Sequence, residues 1–420
     1  MFKTIPGEWR RVPLSALGQR VRRRNTIGNT NVLTISAVHG LVNQREFFNK
    51  IVASENLSNY FLLKRGEFAY NKSYSNGYPV GVVRRLKRYQ SGILSPLYIC
   101  FDMSSSDVDE RYAEHFFDSQ WFIDEINQIA KEGARNHGLL NVGVGDFFDL
   151  EFVLPPLPEQ RKIAAILSSV DDVIEKTRAQ IDKLKDLKTG MMQELLTKGI
   201  GHVEFKDSPV GRIPACWEVR KADDISGSIM VGVVIKPTQY YVDQGVPALR
   251  SANVRENGLT MDNLKYFSPE SNDQLHKSKL RKGDLLTVRT GYPGTTAVVT
   301  DEFEGCNCID VVITRPSAEM DSHFFSLWVN SDQGKGQVLK AQGGLAQQHF
   351  NVGDMKNLLV PVPPLEEQRD IFRAVDSVIK KLSTSEKRLA GLNNLKKALM
   401  QDLLTGKVRV NVSEKETAVA

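Results

Sequence analysis

The sequence predicts an α+β fold: two mixed α/β modules and two long amphipathic helices, laid out as an internal repeat. Three observations predict it. Pro-Pro-Leu-Pro-Glu-Gln-Arg at Pro155 returns as Pro-Pro-Leu-Glu-Glu-Gln-Arg at Pro363, a shift of 208 positions. Four further blocks keep that shift: Ile5–Trp9 with Ile213–Trp217, His115–Phe117 with His323–Phe325, Val144–Asp146 with Val352–Asp354, and Met192–Thr197 with Met400–Thr405. After each proline block, apolar residues recur at alternating steps of four and three, the spacing of a helical seam.

The parts follow in order: a first module over 1–154, a first long helix over 155–206, a second module over 207–362, and a second long helix with a tail over 363–420. Both modules mix strand-like runs with turn-rich segments. PLYICF at 96, DLLTVRTG at 284 and TAVVT at 296 read as strands, SNGYPVG at 75 and TGYPGTT at 290 as turns. Helical patterns occupy about 112–133 and 321–340.

The first seam runs Ile163, Leu167, Val170, Ile174, Thr177, Ile181, Leu184, Leu187, Met191, Leu195. The second runs Ile371, Val375, Val378, Leu382, Ser385, Leu389, Leu392, Leu395, Leu399, Leu403. Even the polar interruption, Thr177 against Ser385, falls at the same place. Proline is tolerated only in a first helical turn, and Glu159 suits the positive end of a helix. Lys198-Gly199 and Gly406-Lys407 are stop signals. A rod of forty residues is roughly 60 Å long, too long to hide its seam on a small module. Its repeat is the obvious partner, with Leu184, Leu187, Leu392 and Leu395 in the interface; the alternative is a helix packed on its own module. Gln160, Arg161, Gln368 and Arg369 sit where module meets helix, so they either pin the helix start or face another subunit.

Composition bounds the function. The chain has 420 residues, 41% apolar and 25% charged, with no run of eighteen apolar residues and no signal-peptide core at its start; a cytoplasmic protein is expected. Four scattered cysteines make no disulfide framework, and Cys306 and Cys308 lack the further ligands that zinc needs. No metal is expected. The net charge of +5 hides a split: residues 1–99 hold sixteen Lys/Arg and four acids, whereas residues 100–150 hold three and eleven. A polyanion such as DNA suits the first stretch; a lopsided solvated surface explains it equally. Residues 207–360 are mixed, with sixteen basic and eighteen acidic side chains.

Catalytic signatures are missing: no phosphate loop, GxGxxG, HExxH or GxSxG, and no Asn-Pro-Pro-aromatic or Asp-Pro-Pro-aromatic tetrapeptide of amino methylation. The chain reads as a binder. Its candidate contacts are a hairpin in each module, KRGEFAYNKS from Lys64 and RKGDLLTVRT from Arg281, ending in Lys72-Ser73 and Arg289-Thr290. Gly77-Tyr78-Pro79 and Gly291-Tyr292-Pro293 follow. A cation beside a hydroxyl on such a loop can hold a phosphate, and Arg can pair with guanine. Arg84, Arg85, Lys87 and Arg88 form a second basic patch suited to phosphate. Arg250 and, more weakly, Asn253 are further candidates for DNA contact; Asn in a loop is more often a turn residue than a base reader.

These residues together resemble the specificity (S) subunit of type I restriction-modification systems. The duplicated Pro-Pro-Leu-x-Glu-Gln-Arg blocks, the long helices ending in Gln-[Glu/Asp]-Leu-Leu-Thr, the module-closing Val-Gly-Asp and the Gly-Asp-Leu-Leu segment at 283 carry the resemblance over essentially the whole chain. It implies a non-catalytic subunit whose modules are target recognition domains, each reading half of a split DNA site. The helices would pack antiparallel as a coiled-coil spacer with pseudo-twofold symmetry, docking two methyltransferase subunits and, through them, restriction subunits. S-adenosylmethionine and ATP would sit on those partners, and this chain would need no cofactor. A second reading, a coiled-coil scaffold with two protein-binding modules, stays open on the mixed charge of the second module.

Overall fold

A computed structural model describes residues 4–36, 39–48, 56–73, 78–132, 140–341 and 349–412. Parts of the expected turn at 75–81, with Gly77, and of the tail beyond 412 lie outside the described residues. The chain forms two units, Met1–Arg178 with Arg388–Ala420, and Ala179–Lys387. The divisions fall inside the long helices rather than at the proline blocks where sequence places the module limits. The reason is burial: each helix leaves one hydrophobic core and ends in another.

In the first unit, β1 (Arg10–Pro13) opens the chain. β2 (Phe68–Asn71) lies between β3 (Val82–Arg85) and β4 (Ile99–Phe101), antiparallel to both. Alternation sends Phe68 and Tyr70 into one core and Ala69 into another, so both faces of the sheet are covered. Two helices follow, α1 (Glu110–Phe117) and α2 (Gln120–Ile129). Sequence expects one continuous helix here. Ser119 divides it, because its hydroxyl accepts from Phe122 N and caps a new start. β5 (Glu151–Leu154) pairs back onto β1, Arg10 opposite Leu154, and hands the chain to α3 (Leu157–Lys198). The core here is aromatic: Phe68, Tyr70, Phe101, Phe117, Phe122 and Phe147 meet edge-to-face or stacked at 5.1–6.4 Å.

The second unit repeats the ribbon. β6 (Glu218–Lys221) anticipates β11 (Leu359–Val362), and Glu218 pairs with Val362 as Arg10 pairs with Leu154. Between them, β7 (Ser226–Val231), β8 (Leu285–Val288), β9 (Thr296–Val298) and β10 (Val311–Pro316) build an antiparallel sheet in the order β7-β10-β8-β9. A second four-stranded sheet contains Val246–Leu249, Lys265–Phe267 and Asn307–Cys308. The helical pattern at 321–340 is again split, into α4 (Ser322–Asn330) and α5 (Asp332–Ala341), with Ser331 accepting from Gly334 N. After β11, α6 (Leu365–Leu403) closes the fold.

Within each unit the two helix segments run in opposite directions. In the first, Ile163 and Leu167 of α3 share a core with Leu403 of α6, and further along Asp171 pairs with Lys396 at 2.7 Å. In the second, Leu196 at the end of α3 shares a core with Ile371 and Val375 near the start of α6. The polar seam positions Thr177 and Ser385 are buried but satisfied, each donating to the carbonyl four residues back, Val173 at 2.7 Å and Lys381 at 2.9 Å.

The seam departs from the sequence expectation at one matched pair. Leu184 and Leu392 are half-buried, whereas Leu187 and Leu395 are each 49% exposed. Lys188 and Lys396 turn inward instead, with only 16% and 22% of their side chains exposed. A straight helix of 3.6 residues per turn drifts from a strict seven-residue repeat, and after three heptads the inward position moves by one residue. Each lysine stem covers apolar surface while its ammonium finds an acid, Glu256 for Lys188 and Asp171 for Lys396.

Candidate nucleic-acid interface

Both hairpins singled out in the sequence are built on the same turn. Glu67 accepts from Lys64 N at 2.8 Å and from the Arg23 guanidinium at 2.7 Å. Asp284 accepts from Arg281 N at 2.9 Å and from Arg315 Nε at 3.3 Å. Gly66 and Gly283 precede these acids at φ of 94° and 86°, a backbone region that favours glycine. Each turn launches a strand, β2 or β8, and the residue just past the strand is the cation: Lys72 or Arg289.

The ends of these strands match further. The Lys72 carbonyl accepts from Leu140 N at 3.0 Å, and the Arg289 carbonyl from Phe350 N at 2.9 Å. Arg289 bonds Asp310 through Nη1, and its buried Nε has no hydrogen-bond partner among the described residues. The carboxylate fixes one edge of the guanidinium and leaves the other nitrogen able to pair with a base. Thr290 Oγ1 lies 2.9 Å from His349 Nδ1, and Tyr292 projects 84% exposed. In the first unit, burial and then the nearby Arg20 charge lower the Lys72 pKa. Arg20, not among the candidate contacts read from sequence, also carries a buried Nε without a hydrogen-bond partner among the described residues. Ser73 donates its backbone N–H to Asn71 Oδ1 at 3.0 Å, a local turn bond. Tyr78, the counterpart of Tyr292, is half-buried, with its hydroxyl 3.4 Å from Arg84 Nη2.

The basic patch on and after β3 is placed differently from the expectation. α1 presents Glu110 and Glu114, and Asp118 follows one turn on; these acids line one helical face. Arg84 donates to Asp118 at 2.7 Å, Arg85 pairs with Glu110 and Glu114, and Lys87 reaches Glu114 at 2.8 Å. Arg88 lies 3.4 Å from Glu46 and over the Tyr89 ring. The acidic stretch of the sequence thus neutralises this patch of the basic stretch inside one unit. Charge counts alone could not distinguish that from an open phosphate surface.

Asn253 needs correction as a base-reading candidate. It is wholly buried: its Oδ1 accepts from Arg250 N at 3.0 Å, and its Nδ2 donates to the Thr260 and Asp262 carbonyls. It builds a turn. Arg250 donates to the Asn263 carbonyl at 2.8 Å and is bound to the same turn.

At the helix roots the structure separates residues that sequence treats together. Gln160 is fully buried; its Oε1 accepts from Asp109 N, and its Nε2 donates to the Asp107 and Pro155 carbonyls, all at 2.8 Å. Gln368 repeats this with Asp321 N at 2.7 Å, the Glu319 carbonyl at 3.0 Å and the Pro363 carbonyl at 2.9 Å. Their place is inside the module, which removes them from any surface a second subunit can touch. Arg161 and Arg369 next to them are exposed; Arg161 lines a cleft of about 350 Å³ with Arg85, Glu110 and Arg111. Below each root, Trp9 Nε1 donates to Glu159 at 3.2 Å and Trp217 Nε1 to Glu367 at 3.1 Å. Arg409 caps the first carboxylate and His202 the second.

Cys306 and Cys308 are buried in an apolar cluster, where burial raises both thiol pKa values. Among the described residues no group of three or more His, Cys, Asp or Glu could hold a metal ion. Among the same residues no helix is long and apolar enough to cross a membrane.

Residues 214–394 match the type I restriction modification DNA specificity domain. The type I restriction enzyme MjaVIII specificity subunit of Methanocaldococcus jannaschii is 26% identical over 328 residues, covering 76% of this chain and 75% of that protein. The EcoBI specificity subunit of Escherichia coli is 25% identical over 279 residues, covering 61% and 58%. The crystal structure of the type I S subunit from M. genitalium superposes with a TM-score of 0.58 at 15% identity, covering 98% of each chain.

Proposed function

Because the chain belongs to the family of type I restriction-modification specificity subunits, we propose that it reads a bipartite DNA site, one half-site per unit. The helices α3 and α6, packed antiparallel as a coiled coil, set the unread gap. Half-sites one helical turn apart are separated by roughly 34 Å, within the reach of rods of about 60 Å.

The observation that carries this reading is the repeated corner: the same glycine–acid turn, the same strand, then a cation whose carbonyl is held by a distant backbone N–H. Arg289, braced by Asp310, is suited to a bidentate pair with guanine, and Thr290 to a neighbouring phosphate. Lys72 with Arg20 forms the cationic corner of the first unit. Methyl transfer to adenine would belong to two modification subunits carrying S-adenosylmethionine, docked at equivalent surfaces. ATP-driven translocation and cleavage would belong to restriction subunits joined through them. This chain supplies no reacting group; it works in the cytoplasm and needs no cofactor.

The test is binding to duplex DNA by the chain with its modification subunit, at several salt concentrations. A steep loss of affinity with salt is expected. A flat response would overturn DNA reading and favour a protein-binding scaffold. Methylome sequencing of cells expressing both chains then gives the target, which is expected to be split in two.

A further inference from the structure

We propose that Ile235 reads the methyl group of a thymine in the half-site served by the second unit. The inference rests on the DNA-reading role above and names one specificity-determining contact within it. The loop Gly232–Lys236 leaves β7 beside the Arg289 corner. Gly232 N donates to the Val311 carbonyl at 2.9 Å, Val233 N to the Cys308 carbonyl at 2.9 Å, and Asp310 N to the Val233 carbonyl at 3.3 Å. Asp310 is the residue that grips Arg289. The loop and the guanidinium are therefore buttressed by one and the same backbone segment.

Polarity changes abruptly along this loop. Val233 is buried with Ile309, Ala248 and Phe267, while Val234 is 45% and Ile235 76% exposed. Both loop ends are fixed. A side chain at Gly232 would come within 2.5 Å of the Cys308 carbonyl oxygen, so glycine is needed for the close approach. Lys236 at φ 43° takes a left-handed conformation that β-carbon-bearing residues disfavour, and Pro237 follows. The bend costs free energy and leaves the two aliphatic side chains exposed, on a loop whose Val233 carbonyl accepts from the backbone of the same Asp310 that grips Arg289.

Two aliphatic side chains are too small for a protein interface, which buries about 800 Å² per partner. They fit a single methyl. The thymine C5-methyl is the one apolar group on the base edges of the major groove, and aliphatic side chains contact it. The neighbouring Arg289 supplies the polar half of such a readout.

The experiment uses the full chain with its modification subunit on the duplex target. Arg289→Ala first identifies the half-site of the second unit. Each thymine there is then replaced by deoxyuracil, which removes only the methyl. At one position the wild-type complex is expected to lose affinity about four-fold, the worth of one buried methyl, and the Ile235→Ala complex to lose nothing further. Ile235→Ala is expected to leave recognition of the other half-site unchanged, which shows that the variant is folded. Equal losses in both complexes, no loss at any position, or a half-site without an A·T pair would overturn the assignment. A wild-type complex without salt-dependent DNA binding would instead overturn the DNA-reading role itself.

Discussion

Replacing Gln160 with leucine tests how the helix root is held. Leucine fills nearly the same volume but returns none of the three hydrogen bonds, leaving Asp109 N and the Asp107 and Pro155 carbonyls without their partner. Each buried group left unsatisfied costs about 1–3 kcal/mol. Asp107 is exposed, so water can recover its carbonyl; Asp109 is half-buried and Pro155 buried, and they recover less. The loss then comes to about 3 kcal/mol, against a total stability of about 5–15 kcal/mol for a domain. Asp109 also caps α1 through bonds to Arg111 N and Tyr112 N, so the damage spreads to the helix that carries the acidic face. Urea unfolding followed by tryptophan fluorescence measures it, Trp9 and Trp121 reporting on the first unit. At a slope of about 1–3 kcal/mol per molar urea, the midpoint should fall by about 1 M or more. Arg161→Ala, on the exposed neighbour, should change stability by less than about 0.5 kcal/mol. If Gln160→Leu left the midpoint in place and weakened only the grip on a modification subunit, the reasoning would be refuted. Gln368→Leu should behave as Gln160→Leu does, with Trp217 and Trp328 as reporters.

Arg289→Ala should remove about 1–3 kcal/mol of discrimination at one half-site only, read by binding to duplexes mutated in either half; equal loss at both would contradict one reader per unit. Lys72→Ala should reduce the slope of log affinity against log salt by about one, whereas Lys87→Ala, whose ammonium is already paired with Glu114, should barely change it; the reverse order would place the phosphate track on β3. His115 is buried, and burial lowers its pKa to about 4 despite the opposing pull of Asp171. The unfolded chain therefore takes up the proton first, near pH 6.5. Stability from this site is complete above pH 6.5 and is lost as pH falls toward 4. A His115→Gln variant should lack that part of the decline when denaturation midpoints are compared across the range, and identical slopes would refute it.

Much of the fold was legible because its signals are local. Prolines 155, 156 and 158 can precede or begin a helix but not continue one, and glycines 199 and 406, both at positive φ, end one. The heptad seam was legible for three heptads and then slipped, since a repeat of seven and a turn of 3.6 residues agree only locally. Leu187 looked like the inward residue because it is apolar; Lys188 took the place because a lysine stem is apolar too. The two hairpins could be aligned from Gly66-Glu67 and Gly283-Asp284, whose turns depend on bonds three residues apart. Asn253 was legible as a turn residue by type, but its partners Thr260 and Asp262 lie across a loop whose path only the fold defines. Ile235 was illegible for a related reason. In Met230–Ile235 nothing in the residue types tells buried Val233 from exposed Ile235, and only Gly232 and Lys236-Pro237 hint at a change of direction.

The charge split of the first unit shows why net charge is a weak guide to a nucleic-acid surface. Sixteen cations before residue 100 suggest a broad phosphate track, yet Arg84, Arg85 and Lys87 are tied to α1 and to Asp118 just beyond it, Arg10 to Asp107, and Arg23 to Glu67. Whatever these pairs add to stability, each partner carboxylate cancels most of the field that a phosphate would feel. Lys72 with Arg20 is one place where cations are left without a carboxylate among the described residues: burial and then the Arg20 charge lower the Lys72 pKa. In the proposed role, a small cationic cluster at a strand end would position a duplex more sharply than a diffuse basic face does, because only one register brings phosphate to it. Neutralisation elsewhere would then serve selectivity, holding down the nonspecific attraction against which the proposed base contacts must compete.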